Sequence, residues 1–410
     1  RMESYMGDDL PAIDLGSGRT ARSVAVGRRE HCAVLDNNRL KCWGGALQTE
    51  EDPADEMGDD LPYVDLGSGR TVKAISMAHV SGYSSSLGEV SSYCAILDND
   101  RLKCWGWAPG YGDSVARGST PGDTGGDLPY LNIGSDDNLS RVTAVAVSPE
   151  HVCAILLPNN RIKCWGSNGS GQLGLGDTLT RGRSSGTMGD NLPYVDLGTG
   201  RTAKSLAVGS KYSCALLDND RVKCWGRGFA GENGAGTGFS VGDSPGSMGD
   251  ALPYVDLGSG RTVKSLHSDG AGSHTCVVLD NGLMKCWGAG GYQVGPSDLE
   301  FLPTRTKGAA PGQMGEDLPY ILTQYGPKLT VKKLSPATWS CTLDDFNASC
   351  EDLVFKITND GTSPVKWLVT RNHVAVVHND TLGVLESGQS HIFGVTITVG
   401  RLSPGHNRLK

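Results

Sequence analysis

A Cys–Trp segment that occurs five times constrains the fold of this chain more than any other feature. The first copy reads Cys32-Ala-Val-Leu-Asp-Asn-Asn-Arg-Leu-Lys-Cys42-Trp43-Gly44. The other copies span residues 94–106, 153–166, 214–226 and 276–288. Repeated copies of one segment predict a repeat protein, in which each unit buries its apolar face against its neighbours.

Each copy predicts a β-hairpin. A short apolar strand precedes a turn that ends, in four copies, on Asn, Asp or Gly, the residues that best tolerate a left-handed backbone. A type I turn followed by a bulge residue would pair Val34 with Leu40, and Cys32 with Cys42. The two cysteines would then form a non-hydrogen-bonded pair, in which cross-strand side chains lie closest.

The cysteines fall into local pairs, and all twelve are accounted for. We therefore predict disulfides and an oxidising, extracellular compartment. Zinc ligands are usually spaced about two to four residues apart, whereas the hairpin cysteines are much further apart, which disfavours the alternative of metal sites. Pro158 lengthens the third turn by one residue and so keeps its cysteines opposite each other. The predicted bridges are Cys32–Cys42, Cys94–Cys104, Cys153–Cys164, Cys214–Cys224, Cys276–Cys286 and Cys341–Cys350.

Glycosylation sequons agree with this compartment. The predicted N-linked glycan sites are Asn138, Asn168, Asn347 and Asn379. The sequence contains no apolar run long enough to span a membrane, and we expect Arg1 to be a mature or truncated N-terminus from which an export signal has been removed. A formal net charge of −8 without a basic cluster argues against nucleic-acid binding.

A second element accompanies the hairpin. It reads Met6-Gly-Asp-Asp-Leu-Pro-Ala-Ile-Asp-Leu-Gly-Ser-Gly-Arg-Thr20, and further copies begin at positions 57, 124, 188, 248 and 314. We predict that its Leu-Pro-Tyr-Val part opens each unit as a strand, followed by a turn, a Val-Lys-Ser-Leu-type strand and the hairpin. Four antiparallel strands per unit are typical of a β-propeller blade. The sixth copy, at 318–324, is surplus to the five hairpins, so it would either close the ring against the first blade or leave one end open to a neighbouring chain.

Three features resemble the regulator of chromosome condensation repeat family: the hairpins, the lead-in at 27–31, and Ser167-Asn-Gly-Ser-Gly-Gln-Leu-Gly-Leu-Gly-Asp177. The resemblance covers about residues 6–325. It implies a β-propeller, here of about five blades where the family usually has seven. The paired cysteines resemble the secreted branch of this repeat. The family's best-known activity is nucleotide exchange on a small GTPase, and its contact residues are not carried over to positions of this sequence.

The C-terminal part has a different pattern. Alternating apolar segments at 353–358, 365–370, 373–377 and 391–399 are separated by short turns and predict a small antiparallel β-sandwich. Its turn and Trp367 pattern resembles immunoglobulin-like surface modules of the BACON kind, which serve mostly as spacers, adhesion domains or polymerisation domains. We therefore predict an all-β chain with a repeat β-propeller at 1–326 and an immunoglobulin-like β-sandwich at 327–410.

The chemically versatile residues of the repeats are expected to be structural. One Trp at the same place in every hairpin favours packing between blades over a ring that binds sugars. His31, His151 and His274 alternate with Tyr at equivalent positions, which argues against metal ligands or catalytic bases. Trp107 and Tyr111 lie in a variable loop and are the candidate exposed binding aromatics. No nucleophile–base set or metal-ligand cluster is evident, so we predict no catalytic residue, metal or cofactor.

Function is thereby expected in the variable loops and at the two ends of the chain. The leading hypothesis is a non-enzymatic extracellular structural or adhesive glycoprotein. It would form a homo-oligomer or homopolymer, as a filament or surface layer, through the C-terminal sandwich and the propeller edge. The alternative is a secreted binding module whose propeller loops capture a protein or a glycan.

Overall fold

The computed structural model of this chain is all-β. The structure describes residues 11–27, 30–44, 57–80, 90–107, 110–118, 124–134, 140–268, 270, 272–289 and 306–321, and the backbone of strands between 329 and 399. Within these residues there is no α-helix, and only short 3-10 turns such as Gly189–Asn191 interrupt the strands and loops. The chain divides into two compact units: Arg1–Asp280 with Met284–Ile321, and Asn281–Leu283 with Leu322–Lys410. The predicted all-β class is confirmed.

The described part of the first unit contains five antiparallel sheets, each with an inner strand followed by a Cys–Trp hairpin. In chain order the strands are β1 (Ala21–Val26), β2 (Glu30–Leu35) and β3 (Leu40–Gly44); β4 (Val72–Val80), β5 (Val90–Leu97) and β6 (Leu102–Gly106); β7 (Val142–Val147), β8 (His151–Leu156) and β9 (Arg161–Gly166); β10 (Ala203–Val208), β11 (Tyr212–Leu217) and β12 (Val222–Gly226); and β13 (Val263–Ser268), β14 (His274–Leu279) and β15 (Met284–Ala289). The fifth sheet also contains β16 (Thr306–Lys307) and β17 (Tyr320–Ile321), both paired with β15. These sheets are the predicted blades.

The hairpins have the predicted register. Val34 pairs with Leu40 and Cys32 with Cys42. The turn closes where the Leu35 N–H donates to the carbonyl of Arg39, at 2.9 Å. The last turn residue is left-handed in every hairpin, with φ between 51° and 79° at Asn38, Asp100, Asn160, Asp220 and Gly282.

Disulfides join the strands of all five hairpins. The facing cysteines have Cα atoms 4.0–4.1 Å apart, as expected for closely spaced cross-strand positions. The bridges are Cys32–Cys42, Cys94–Cys104, Cys153–Cys164, Cys214–Cys224 and Cys276–Cys286. Cys341 and Cys350 are opposite each other in the backbone register, but their side chains lie outside the described residues, so a sixth bridge stays a prediction.

The Leu-Pro-Tyr-Val element does not open its own blade, so the predicted strand order is wrong. The Val64 N–H donates instead to Leu40 O of the preceding hairpin, at 2.8 Å. The equivalent Val255 N–H donates to Val222 O, also at 2.8 Å. The second hairpin strand has a free edge, and the long loop after Cys-Trp-Gly brings the next copy back to it. The pairing is short because the proline of each copy has no N–H to donate.

This pairing also corrects the expectation for the surplus copy. The sixth copy provides β17, which pairs with β15 through Met284↔Ile321 and so completes the fifth blade. Within the residues that the structure describes, the first copy, visible at 11–20, is the one that pairs with none of the five hairpins. Its Ile13 side chain is 61% exposed, whereas the equivalent Val195 and Val255 are 4% and 7% exposed.

A hydrophobic core lies between each pair of successive blades. Between the first two blades, Val34 and Leu40 of the first hairpin pack with Val72, Met77 and Trp105 of the next blade. The same arrangement recurs between the later blades. The hairpin tryptophans Trp105, Trp165, Trp225 and Trp287 are at most 3% exposed, which confirms their predicted packing role, and Trp43 of the first blade is half-buried.

The second unit is described by its backbone strands. They are β18 (Leu329–Lys333), β19 (Cys341–Asp344), β20 (Asn347–Cys350), β21 (Leu353–Asn359), β22 (Val365–Leu368), β23 (Ala375–Val377), β24 (Leu382–Leu385) and β25 (Ser390–Val399). One antiparallel sheet has the order β18-β21-β25-β20-β19, with β23 also on β25, and β22 pairs with β24 separately. The predicted strands are confirmed. The immunoglobulin-like character and the limits 1–326 and 327–410 stay predictions.

Candidate functional site

A buried lysine in each hairpin ties successive repeats together. Lys223 is 2% exposed, and its Nζ donates to Leu197 O at 2.9 Å and to Gly249 O at 2.8 Å. The ammonium also lies 4.9 Å from the centre of the Tyr254 ring. Equivalent bonds are made by Lys41, Lys103, Lys163 and Lys285. The occurrence of Lys before the second Cys of every hairpin was the sequence signal for this role, and it was missed.

The tyrosine of each Leu-Pro-Tyr-Val copy contacts the turn of the preceding hairpin. Asn37 Nδ2 donates to the Tyr63 hydroxyl at 3.1 Å, and the Arg39 guanidinium lies 3.6 Å from the ring centre. The fourth hairpin repeats this contact with Tyr254. The first copy carries Ala12 at this position. These contacts hold the blades in register and are structural.

A central cavity of about 310 Å³ is lined by the inner strands β1, β4, β7, β10 and β13. Most of its lining residues carry apolar side chains, although polar atoms make up most of the accessible wall. Two of its hydroxyl groups are engaged in bonds between blades. Ser76 Oγ accepts from the Val147 N–H at 3.1 Å, and Ser268 Oγ donates to Val208 O at 2.8 Å. Both hydroxyl groups therefore help to hold successive blades together.

Two of the three hairpin histidines, His151 and His31, have described side-chain contacts. His151 is fully buried, with Nδ1 2.8 Å from Ser148 Oγ and Nε2 2.7 Å from Ser213 Oγ. Burial lowers the pKa of His151 to about 3, so the ring is neutral at physiological pH. His31 packs against Trp43. Among the described residues, no group of three His, Cys, Asp or Glu side chains is placed to hold a metal ion.

The loops after three successive hairpins each present an exposed apolar side chain. Val115, Leu179 and Phe239 occupy equivalent positions in the second, third and fourth blades and are 62%, 63% and 70% exposed. We call these three residues the apolar tips. A fourth apolar side chain, Phe229, is 66% exposed in the same loop as Phe239. Their equivalent positions on consecutive repeats make these exposed side chains candidate contact residues for a partner.

Side chains on either side of the tips fix two of these loops. In the third blade, Asp177 Oδ1 accepts from the Leu179 N–H at 2.9 Å. Arg181 then bonds both Asp177 Oδ2, at 2.8 Å, and Leu179 O, at 2.6 Å. The second blade has the same Asp-x-apolar-x-Arg arrangement around Val115, where the Arg117 bond lowers the pKa of Asp113 to about 2. The apolar side chain is therefore held outward on a rigid loop.

The fourth loop is closed differently. Thr237 replaces the aspartate, and its Oγ1 accepts from the Phe239 N–H at 3.4 Å. Asn233 Nδ2 donates to Phe239 O at 2.8 Å and so holds the tip from the opposite side. The third tip thus keeps its position although the Asp–Arg pair is absent from this loop.

The two predicted binding aromatics differ in their surroundings. The Tyr111 hydroxyl donates to Cys104 O at 2.8 Å, and its ring packs against two cores between blades. Burial raises the pKa of Tyr111 to about 12. The prediction that Tyr111 is exposed for binding is therefore wrong, because a hairpin carbonyl holds it inward. Trp107 is half-buried, with the Arg183 guanidinium 5.3 Å from its ring centre, and it stays a candidate contact residue.

One of the four predicted glycan sites is buried in the folded blade. Asn168 is 0% exposed, and its Nδ2 donates to Asp177 O and Oδ1 at 2.7 and 2.9 Å. Its Oδ1 accepts from the Leu173 N–H at 2.9 Å. A glycan on this amide is incompatible with the folded blade, so we correct that prediction. Asn138 and Asn379 lie outside the described residues, and Asn347 lies on β20 without a described side chain.

The blades, the cores between them and the central cavity define a β-propeller whose accessible features are its loops. Comparison with known proteins agrees with this class. Residues 142–172 and 203–232 match the model of the Regulator of chromosome condensation (RCC1) repeat. Protein pim1 of Schizosaccharomyces pombe is 26% identical over 283 residues, which is 65% of this chain and 46% of that protein.

Further similarities extend the comparison. The human E3 ubiquitin-protein ligase HERC2 is 27% identical over 152 residues, which is 37% of this chain and 3% of that protein. This chain therefore spans less than half the length of these curated relatives. Prp20p from Saccharomyces cerevisiae has a similar structure, with a TM-score of 0.50, 14% identity, and coverage of 93% of this chain and 83% of that one. Human WBSCR16 gives a TM-score of 0.50 at 13% identity, over 95% and 89% of the two chains. The chain is an RCC1-like β-propeller in fold. No helix in the described part of the chain is both long and apolar enough to cross a membrane.

Proposed function

We propose that this protein is a non-enzymatic protein-binding module and that the apolar tips of its propeller loops contact the partner. The observation that carries the proposal is the matched exposure of Val115, Leu179 and Phe239 on three successive blades. Repeat folds present their binding residues in this way, at equivalent loop positions on a shared scaffold.

Rigid loops make this surface suitable for binding. Burying one large apolar side chain at an interface contributes roughly 1.5–3 kcal/mol. A loop whose backbone is already fixed loses little conformational freedom on association. The Asp113–Arg117 and Asp177–Arg181 pairs fix two tips and also neutralise the charge next to them. We therefore expect a partner surface with apolar pockets and little net charge.

The comparisons support binding at the level of the fold. Prp20p is described by its binding properties to Gsp1p and histones, so a propeller of similar structure binds proteins. Its sequence identity with this chain is too low to assign either of these partners to this chain. We keep a glycan as the alternative ligand of the loops, with Trp107 as the aromatic that would stack on it.

The test is affinity capture with the full-length chain. Three simultaneous substitutions, Val115→Ser, Leu179→Ser and Phe239→Ser, remove the tips without touching the disulfides or the cores. The matched control is Ile13→Ser, which removes an apolar side chain of similar exposure outside the loops. We expect the wild type and the control to retain the same partners and the triple variant to lose them. Equal capture by all three proteins would refute the proposal.

The structural function expected from the sequence is a second proposal. The five disulfides are consistent with an extracellular protein, and we place it there, with Asn138, Asn347 and Asn379 as its glycan candidates. Exposed apolar residues of the first blade favour self-association, because Val24 and Val26 of β1 are 63% and 64% exposed. Docking of the C-terminal unit on a propeller edge stays part of this proposal. Electron microscopy of the native protein tests it, since filaments or sheets are expected and isolated particles at high concentration would contradict it.

A further inference from the structure

The turn that follows the apolar tip is closed in the same way in the third and fourth blades. In the third blade, Thr187 Oγ1 accepts from the Gly182 N–H at 2.8 Å and donates to Ser184 O at 2.6 Å. In the fourth blade, Ser247 Oγ makes the two equivalent bonds, at 3.1 and 2.6 Å. A hydroxyl group therefore fixes the backbone of both turns.

These turns carry opposite charges at one equivalent position. The residue that follows the bonded glycine is Arg183 in the third blade and Asp243 in the fourth, and both are half-buried. The equivalent residue of the fifth blade is Ala309. Because this position accepts Arg, Asp and Ala in the same chain, the repeat does not need a charge there to fold.

Neither charge is neutralised within the chain. In the described part of the structure, the side chains of Arg183 and Asp243 form no ion pair and no hydrogen bond. Burial lowers the pKa of Arg183, and the Glu150 carboxylate offsets this only in part. Glu150 itself is paired with Lys211, at 3.5 Å. A half-buried charge of this kind has lost part of its hydration without gaining a partner.

The two charges lie where the loops of successive apolar tips meet. The Gly110 N–H, in the loop of the first tip, donates at 3.0 Å to Gly182 O, next to Arg183. In the same way, Gly242 O, next to Asp243, accepts at 3.0 Å from the loop of the second tip. Arg183 therefore lies at the junction between the first and second tip loops, and Asp243 at the junction between the second and third.

Trp107 positions the guanidinium at the first of these junctions. The Arg183 guanidinium lies 5.3 Å from the centre of the Trp107 ring, which is a cation–π contact. This contact uses the face of the guanidinium and leaves its N–H groups free to bind a carboxylate with two hydrogen bonds. The equivalents of Trp107 in the next two blades are Ser167 and Arg227, so the Trp–Arg pair is not part of the repeat.

We propose that Arg183 and Asp243 determine the specificity of the surface formed by the apolar tips. The partner is a protein segment that presents an acidic side chain to Arg183, a basic side chain to Asp243 and apolar side chains to the tips. This inference rests on the proposed function, because the tips supply the apolar contacts. Two opposite charges in a fixed order select both the sequence of the segment and its orientation, and they require no net charge of the partner.

The experiment selects binders from a phage library of random linear peptides on the immobilised full-length chain. We expect the wild type to enrich apolar peptides that contain an acidic and a basic residue. The selected peptide is then compared with an exchanged peptide, in which the acidic and basic residues have traded places. The wild type should bind the selected peptide at least about tenfold more tightly than the exchanged one.

The decisive variant combines Arg183→Asp with Asp243→Arg, which keeps the net charge and places residues that this turn already accepts. It should prefer the exchanged peptide. The control is Lys204→Ala, which removes a paired cation from β10 and should keep the wild-type preference.

The triple tip variant separates this inference from the proposed function. Selected peptides that bind the wild type and not the triple variant, but show no preference between the two charge orders, would overturn the inference alone. A charge-swapped variant that keeps the wild-type preference would do the same. Peptides that bind the triple tip variant as tightly as the wild type would overturn the proposed function. A selection that enriches no peptide on the wild type would also count against the inference.

Discussion

The buried lysines allow a quantitative prediction for Lys223. Replacement by Met keeps the length of the side chain and its apolar stem. It removes the ammonium group and with it two hydrogen bonds, to Leu197 O and Gly249 O. Leaving a buried carbonyl without its donor costs about 1–3 kcal/mol. This applies to Leu197 O, whereas Gly249 O keeps the Leu252 N–H as a second donor at 3.3 Å. Removal of the ammonium also relieves its desolvation, which offsets part of this loss. We expect Lys223→Met to lower the free energy of unfolding by about 1–3 kcal/mol.

The control for this prediction is Lys204→Met. Lys204 is paired with Asp220, but its side chain is 46% exposed, so its ion pair should contribute about 1 kcal/mol or less. The assay is urea unfolding followed by tryptophan fluorescence, because Trp225 lies in the same hairpin as Lys223. Equal midpoints and slopes for the two variants would show that the lysine bonds do not hold the repeats together and would refute the reasoning.

Three further predictions follow from the described contacts. His151 has a folded pKa of about 3 and so binds its proton less readily than the unfolded chain, whose histidine pKa lies near 6.5; stability should therefore fall as pH decreases from 6.5 towards 3. His151→Gln should show a shallower loss between pH 6 and 4.5 in parallel urea titrations, by up to about 1.4 kcal/mol per pH unit, and unchanged slopes would contradict the assignment. Replacing both Cys214 and Cys224 by Ala should lower the free energy of unfolding by about 2–3 kcal/mol, since each bridge closes a short loop, and a melting temperature equal to that of the wild type would contradict this. Peptide mapping of protein from a glycosylating host should find Asn168 unmodified, and a glycan there would show that the third blade is not folded as described.

The local part of the fold was predictable from sequence because turn chemistry acts over a few residues. Asn38 and Asp100 occupy left-handed positions that few side chains tolerate, and this preference sets the register of their hairpins and brings the cysteines together. The pairing of Val64 with Leu40 was not predictable in the same way, because the free strand edge and the returning copy are far apart in sequence. The partners of Lys223 are backbone carbonyls, which carry no sequence signature.

The candidate site was predicted only in outline. Variable loops were expected to carry function. The loop aromatic Tyr111 nevertheless points inward, because its hydroxyl group donates a hydrogen bond to Cys104 O. The residues that remain accessible are Val115, Leu179 and Phe239, which differ in type and share only their position in the repeat. The glycosylation prediction at Asn168 failed for a similar reason. The sequon consists of three adjacent residues, whereas the burial of the Asn168 side chain depends on contacts within the folded loop.

The central claim is that the apolar tips bind a protein partner, and the most direct measurement is the dissociation constant of that partner. It should be measured by surface plasmon resonance on the purified wild type, the triple tip variant and Ile13→Ser. Losing three apolar contacts should weaken binding by at least about 3 kcal/mol, which corresponds to more than ~100-fold in the dissociation constant. We expect this loss in the triple variant and no change in Ile13→Ser. Dissociation constants that agree within about twofold for all three proteins, a difference well below 1.4 kcal/mol, would contradict the claim.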